Sequence, residues 1–540
     1  MNKSKKSQGL LSNTGVSSKS VLGLPAPPIE KEPLQKELDR NIETAKQIFA
    51  DCSDMVYRNV QVAQGRDAVI FYIEGIVDSQ EIEMYMLRPL IQSYVEDEEN
   101  GNKEDKEDKE GKDSVLSFDD TCISLLQATR ATHWGEIISS IINAGVVLLM
   151  DGESEAYLFN VKGGTRRGVE EPQTESVIRG PREGFTETLR VNTALLRFRV
   201  KNPKLKMVSF VMGEETKTDV VLTYIDGLID PKRLRDIKKR LKDIKIDGVL
   251  ESGYIEELIE DHPYSPFPQV QYTERPDTIA AQLLEGRFAI LVDGTPFALI
   301  GPVTIWQLMQ ASEDYYERFF ISNFVRFLRY LFLLIAIFLP GLYIAVTTFH
   351  QDMLPSTLIL SVAAAREAIP FPALIEALMM EIAFEALREA GIRLPKTVGQ
   401  AVSILGALVI GQAAVEAGIV SAPMVIVVSL TGIASFTIPR FNLAITVRLL
   451  RFPLMIMAGC FGLFGMIITT TWILVHLSQL TSFGVPYLTG LSPYSKEDQK
   501  DIFVRAPWWK MINRPEGMAK SNRQRMKKDI NGVPKPEKSW

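Results

Sequence analysis

Four carboxylates in an otherwise apolar stretch are the residues of this chain best placed to do chemistry. Between Asp352 and Lys396 the sequence reads MLPSTLILSVAAAREAIPFPALIEALMMEIAFEALREAGIRLP, which carries Glu376, Glu381, Glu385 and Glu389 beside Arg366, Glu367, Arg388 and Arg393. Glu381, Glu385, Arg388 and Glu389 follow the i, i+4, i+7, i+8 spacing of one helical face, with Met379, Ile382 and Leu387 mostly elsewhere. Such a face cannot look at hydrocarbon; it must lie at an interface, pack inside an assembly or line water. Rings of acids facing water attract cations, which makes the four glutamates pore or vestibule candidates. The plainer reading is packing. Leu354–Ala365 is too short to span a bilayer, and Pro370 and Pro372 break the helix after it, so a re-entrant or interfacial element is expected there.

A second charged stretch, RRGVEEPQTESVIRGPREGFTETLRVNTALLRFRV (166–200), sets seven arginines against five glutamates. An enzyme would use Glu183 and Glu187 as an acid/base pair, yet no nucleophile or phosphate loop accompanies them. Arg182, Glu183 and Glu187 are instead read as inter-subdomain contacts made through Arg–carboxylate pairs. In TERPD (273–277), Asp277 is expected to cap the helix that follows. No catalytic residue is assigned, and the chain is not expected to be an enzyme. Cys52, Cys122 and Cys460 are too scattered for a disulfide framework, and His133, His262, His350 and His476 show no metal-ligand spacing. No metal or cofactor is expected.

The elements that must position these residues are written in the segregation of charge. The 540 residues are 46% hydrophobic and 23% charged, with a net charge of -6, but the two kinds of residue are not mixed. Residues 1–323 are dense in charge, whereas 330–351, 397–415, 417–439 and 452–495 hold no Asp, Glu, Lys or Arg. About 20 apolar residues cross a hydrocarbon core of roughly 30 Å, so at least four spans are expected. The fold class is therefore an α+β soluble region of two related subdomains followed by an all-α multi-pass membrane domain. The expected divisions are a disordered tail (1–33), a first subdomain (34–170), a linker with the second subdomain (171–324), the membrane domain (325–480) and a basic tail (481–540). Residues 1–29 lack an apolar run, so no cleaved signal sequence is expected.

The two soluble subdomains are predicted from an internal echo. AVIFYIEGIVDSQEI (68–82) is matched by VVLTYIDGLIDPKRL (220–234), and AGVVLLMDG (144–152) by RFAILVDGTPF (287–297). Each copy reads as strand, Tyr-Ile-acid-Gly turn, and a helix opened by Asp. Residues 96–113, with ten acids and four lysines, read as a solvated insertion in the first copy. In the apolar half, Ser403, Ala407 and Gly411 recur every four residues as a helix-packing face, and Ala458, Gly459, Gly462 and Gly465 do the same later. Basic residues at Arg318, Arg326 and Arg329 and from Lys496 onward place both ends in the cytoplasm, which needs an even number of spans and favours four; Arg440, Arg448 and Arg451 argue for five. Positive-inside anchoring accounts for the basic tail, so no nucleic-acid partner is expected.

Long motifs add a resemblance. EPQTESVIRGPREGFTETLRVNTALLRFRVKNPKL (171–205), SGYIEELIED (252–261), FPQVQYTERPD (267–277), LLEGRFAILVDGTPF (283–297) and EDYYERF (313–319) are similar to the A subunits of GerA-type spore germination receptors. The resemblance runs from about Leu34 to Leu480 and leaves out the acidic insertion and the N-terminal tail. It implies a location in the inner membrane of a bacterial endospore, N-terminal region toward the cytoplasm or spore core. It implies partnership with a transporter-like B subunit and a lipoprotein C subunit. It further implies self-association into a ring of five forming a nutrient-gated ion channel. A paralogue of the same family accompanies the dipicolinate-release apparatus, and a non-conducting membrane scaffold is the other alternative.

Overall fold

The structure is a computed structural model that describes residues 28–62, 65–90, 128–163, 171–395 (except 173 and 176), 406, 409, 411–519 and 522–526. The acidic insertion, Ser403 and Ala407 lie outside the described residues, as does the tail before Pro28. The chain divides into two compact units. One holds Tyr57–Tyr72 and Glu81–Val161 with the residues up to Thr44; the other holds Ala45–Val56, Ile73–Gln80 and everything from Lys162 onward.

The first unit is built on a five-stranded sheet in the order β1-β2-β4-β5-β3: β1 Met55–Val62, β2 Arg66–Ile73, β3 Ala128–Ala131, β4 Gly145–Met150 and β5 Ala156–Asn160. The second unit repeats that order with β6 Leu205–Met212, β7 Thr218–Ile225, β8 Gln271–Thr273, β9 Phe288–Val292 and β10 Ala298–Gly301, as β6-β7-β9-β10-β8. Every pairing in this second sheet is antiparallel, with Val220 opposite Val292 and Leu299 opposite Ile290. The echo in the sequence is thus a repeat of topology. Its glycines have a common cause: Gly75 and Gly227 both sit at positive φ, 89° and 79°, where any side chain would be strained. The aspartates after them act alike too. Asp78 accepts from the Gln80 amide at 2.9 Å and Asp230 from Lys232 at 3.0 Å, the latter ahead of Pro231 at the first helical position.

Helices cover both faces of the second sheet, which explains why β7 and β9 read as apolar runs rather than alternating strands. On one face α1 (Leu189–Arg199) and α2 (Pro276–Leu284) bring Leu195, Leu196, Ile279 and Leu283 against Val221, Ala289 and Leu291. On the other, α3 (Pro231–Asp243) and α4 (Ser252–Ile259) bring Ile237, Leu241, Ile255 and Ile259 against Leu222, Ile290 and Leu299.

The apolar half follows in the same unit as α5 (Phe319–Phe349), α6 (Ser356–Arg366), α7 (Ala373–Arg393), α8 (Ala422–Phe436) and α9 (Phe441–Gln479). Two of these, α5 and α9, are long and apolar enough to cross a membrane. Only 28% and 39% of their most apolar stretches are buried, so most of each stretch faces outward. The 39 residues of α9 do not run straight. Gly462 takes φ 62° and ψ -143°, and the chain folds back there, setting Gly465 against the Met457 carbonyl. Both ends of α9 consequently reach one loop: Asn442 donates to the Val270 carbonyl and Thr446 to that of Pro266, while His476 meets the Ser265 hydroxyl at 2.8 Å. A helical hairpin results, with limbs at 441–461 and 463–479 of about 30 and 25 Å. The glycine expected to be a packing contact is the turn itself.

Candidate functional site

The acidic face predicted between 376 and 389 lies on α7, which runs antiparallel to the first limb of α9 and meets it as a ladder of charges. Glu381 accepts from a single nitrogen of Arg451, Nη1, through both carboxylate oxygens at 2.6 and 2.8 Å, and both side chains are buried; the Arg451 Nε donates to the Ala336 carbonyl of α5. One step along, Glu385 accepts from Arg388 at 2.7 Å and from Arg448 at 3.2 Å. Beyond it, Glu389 and Arg393 pair on the exposed surface. At the opposite end Glu376 is fully buried and accepts from Arg366 of α6 and from both the amide and the hydroxyl of Ser421, at the start of α8. The ladder therefore ties α5, α6, α7, α8 and α9 together. Glu376 and Glu381 are enclosed by their partners, and only Glu385 and Glu389 reach an open cleft. Of the small-residue face, Gly411 is described, and a side chain there would meet Val425 of α8 at 3.5 Å.

The charged segment before α1 also separates into exposed and buried parts. Arg182 stands 3.9 Å from Glu171, and Glu183 accepts from Arg199 at 2.7 Å; Arg182, Glu171 and Glu183 are solvent-exposed. The Glu187 carbonyl accepts from the Gly294 amide. The buried connection is made by Arg197, whose guanidinium grips Asp54 at 2.7 and 2.8 Å. Arg275 holds the segment from beneath, donating to the carbonyls of Glu175 and Pro181 and to Asp277. Asp277 does not cap its helix as expected. Its oxygen is taken by Arg275 and by the Tyr316 hydroxyl, while the cap position belongs to Arg275. Glu175 in turn accepts from Thr273 and from Arg440, at the start of α9. A cavity of about 250 Å³ opens beside this junction, lined by Glu175, Arg275, Arg329 and Arg440 among others.

A third cluster joins the start of α5 to the C-terminal segment. Asp314 bridges Arg326 and Arg329, and Arg326 also binds Asp501 through its carboxylate and carbonyl. Tyr315 donates to Asp501 at 2.7 Å. Burial pushes the Asp501 carboxyl up to about 6 against the opposing pull of Arg326. Arg326 and Arg329, read from sequence as cationic flanks of a span, are thus buried and neutralised. On α4 burial raises Glu256 to about 8, and just past its end it raises Glu260 to about 7, each with help from neighbouring carboxylates. The C-terminal segment also returns to the second sheet. Ser482 bonds the Gln269 carbonyl and the Val303 amide, the Tyr487 hydroxyl donates to the Pro268 carbonyl, and Arg233 donates to the carbonyls of Gly517 and Met518.

Sequence reasoning located the acids of α7 but not their partners. Arg448 and Arg451 lie more than sixty positions away, and only the antiparallel packing of α7 on α9 brings them in. Arg275 had a signal, an arginine between two acids in TERPD, the motif in which the cap was expected at Asp277.

Known proteins resemble the chain along nearly its whole length. Residues 43–517 match the family described as Bacillus/Clostridium GerA spore germination protein. The membrane protein YfkQ of Bacillus subtilis is 58% identical over 92% of this chain and 94% of its own. Spore germination protein KA of the same organism is 44% identical over 92% and 89%, and spore germination protein GerLA of Bacillus cereus is 40% identical over 89% and 96%. The crystal structure of the N-terminal domain of the A subunit of the Bacillus megaterium germinant receptor GerK3 aligns with a TM-score of 0.38 at 36% identity, covering 50% of this chain and 97% of that one. The chain belongs to the GerA family of spore germination proteins.

Proposed function

We propose that this chain is the A-type subunit of a nutrient germinant receptor in the inner membrane of a bacterial endospore. Copies of it would form a ring, of five, that opens an ion channel when nutrient is sensed. The partners are a transporter-like B subunit and a lipoprotein C subunit, and the chain itself is not an enzyme. One observation carries the reading. The match to the germination family runs from residue 43 through both sheets and the apolar helices described above into the C-terminal segment, so it takes in the soluble and the apolar halves together.

The geometry supports a multi-pass arrangement with an even number of crossings. The segment entering α5 and the segment leaving α9 both pack on the second sheet's subdomain, through Phe267, Val303 and Leu308 on one side and Leu480 and Tyr487 on the other. Ends held to one domain lie on one side of the bilayer, and the α9 hairpin supplies two of the crossings. Arg440 and Arg451, which spoke for an odd number, are each paired with an acid, and Arg448 shares Glu385 with Arg388, so little of their charge weighs against it. The basic C-terminal segment puts that side toward the cytoplasm or spore core.

The test is conductance of the purified chain, with its partner subunits, in liposomes, together with germination of spores lacking it. Loss of one nutrient response and a nutrient-dependent conductance are expected. Normal response with blocked dipicolinate release would assign it to the paralogous apparatus, and absence of conductance would leave a scaffold.

A further inference from the structure

We infer that the cleft between α7 and the first limb of α9 binds an anionic phospholipid, its phosphate held by Arg388 and Arg448 and one acyl chain lying along Leu449, Phe452 and Ile456. The inference rests on the membrane reading above. The cleft has a volume of about 580 Å³. Arg388 and Arg448 enter it with side chains only 15% and 12% exposed, and they share a single carboxylate, Glu385. Arg393 is matched by Glu389 at its rim. Three guanidinium groups thus face two carboxylates, leaving one positive charge without an acid of its own among the described residues, which favours an anion in the cleft.

The donors for that anion are in place. Among the described residues, Arg388 gives protein acceptors only one Nη, and Arg448 only its Nε and one Nη. Each guanidinium is held over a ring, Phe436 for Arg388 at 5.1 Å and Phe441 for Arg448 at 5.7 Å. Two planar forks converging from separate helices suit the tetrahedral oxygens of a phosphate.

A free anion would satisfy the arginines but not the wall beside them. Leu449, Phe452 and Ile456 follow Arg448 on one side of α9, deeper than the arginines; Leu449 and Phe452 line the cleft, and Leu449 and Ile456 are about half exposed. An acyl chain covers that strip while the headgroup meets the charge. The depth agrees. Arg448 is within about 12 Å of helix rise from Phe441, whose neighbour Asn442 contacts the soluble subdomain, so the cleft opens near the headgroup level. Basic pockets between helices at this level are where anionic headgroups dock.

The experiment uses the full chain, extracted and delipidated in detergent, with retained lipid measured by native mass spectrometry. With one uncompensated charge at about fivefold per charge, phosphatidylglycerol should be retained about fivefold more tightly than phosphatidylcholine of the same chains. Arg448→Gln, which leaves Glu385 its Arg388 partner and no uncompensated charge, should abolish that preference. Should that variant fail to accumulate, Leu449→Trp fills the apolar wall without touching the ladder and should weaken retention of the lipid. Equal retention of the two lipids by the unaltered chain overturns the inference. So does competition by glycerol phosphate as strong as by phosphatidylglycerol, which marks a free-anion site, or disulfide capture between copies carrying Leu449→Cys, which marks a subunit contact. A chain recovered without detergent would instead overturn the membrane reading itself.

Discussion

Arginine–glutamate pairs occur in two regions of this chain under opposite conditions. In the segment before α1, Arg182 faces Glu171 and Glu183 faces Arg199 with water around them. Among the apolar helices, Glu381 and Arg451 meet out of reach of solvent. The residue types match, but their energetics do not. An exposed pair gains little because water already solvates both charges. A buried pair gives small net stability, yet removal of either partner strands a charge in a medium that cannot solvate it. The pairs before α1 are surface detail, while those on α7 and α9 decide how the helices assemble.

The largest effect is therefore expected at Arg451. Arg451→Gln should cost about 3–5 kcal/mol and sharply lower the amount of chain in the membrane fraction. Glu381→Gln combined with Arg451→Gln should recover much of it, because no lone charge then remains. Arg197→Gln sharpens the comparison. Arg197 is as buried as Arg451 but lies in the soluble subdomain, so a loss of similar size shows that burial, not the bilayer, sets the penalty. Denaturation of the two variants in one detergent, followed by near-UV circular dichroism, would compare them.

A smaller effect concerns pH. Glu256 and Glu260 hold protons in the folded chain up to about 8 and about 7, whereas an ordinary glutamate gives its proton up near 4.5. The folded state binds more protons in that interval, so stability is greatest at its acid end and falls as pH rises toward 8. Glu256→Gln should flatten the fall, as read by melting temperature between pH 5 and 8. The smallest effect belongs to the exposed pairs: Arg182→Ala or Glu183→Ala should change stability by less than about 1 kcal/mol and leave receptor abundance unaltered by immunoblot.

What could be read from the sequence followed from how local each cause was. The duplicated soluble fold was legible because Gly75 and Gly227 meet the same need for positive φ and Asp78 and Asp230 the same need for a cap. The long apolar runs of α5 and α9 were legible by length. The hairpin in α9 was not, since Gly462 sits among Phe461, Leu463 and Phe464 and no polar residue marks the reversal. The acids of α7 stood out from an apolar background, but their meaning depends on Arg448 and Arg451. Spacing along one helix says which side chains share a face and nothing about what that face meets.

The ladder is most directly tested by exchanging its buried pair and recording conductance. Glu381→Arg alone and Arg451→Glu alone should leave no assembled receptor in the membrane. The double exchange should restore the assembly, and, under the channel function proposed above, liposomes carrying it with the proposed partner subunits should conduct with the reversal potential of the unaltered protein across a salt gradient. A double exchange that assembles but shifts the reversal potential would place Glu381 and Arg451 on the ion path, contradicting their role as an internal clamp.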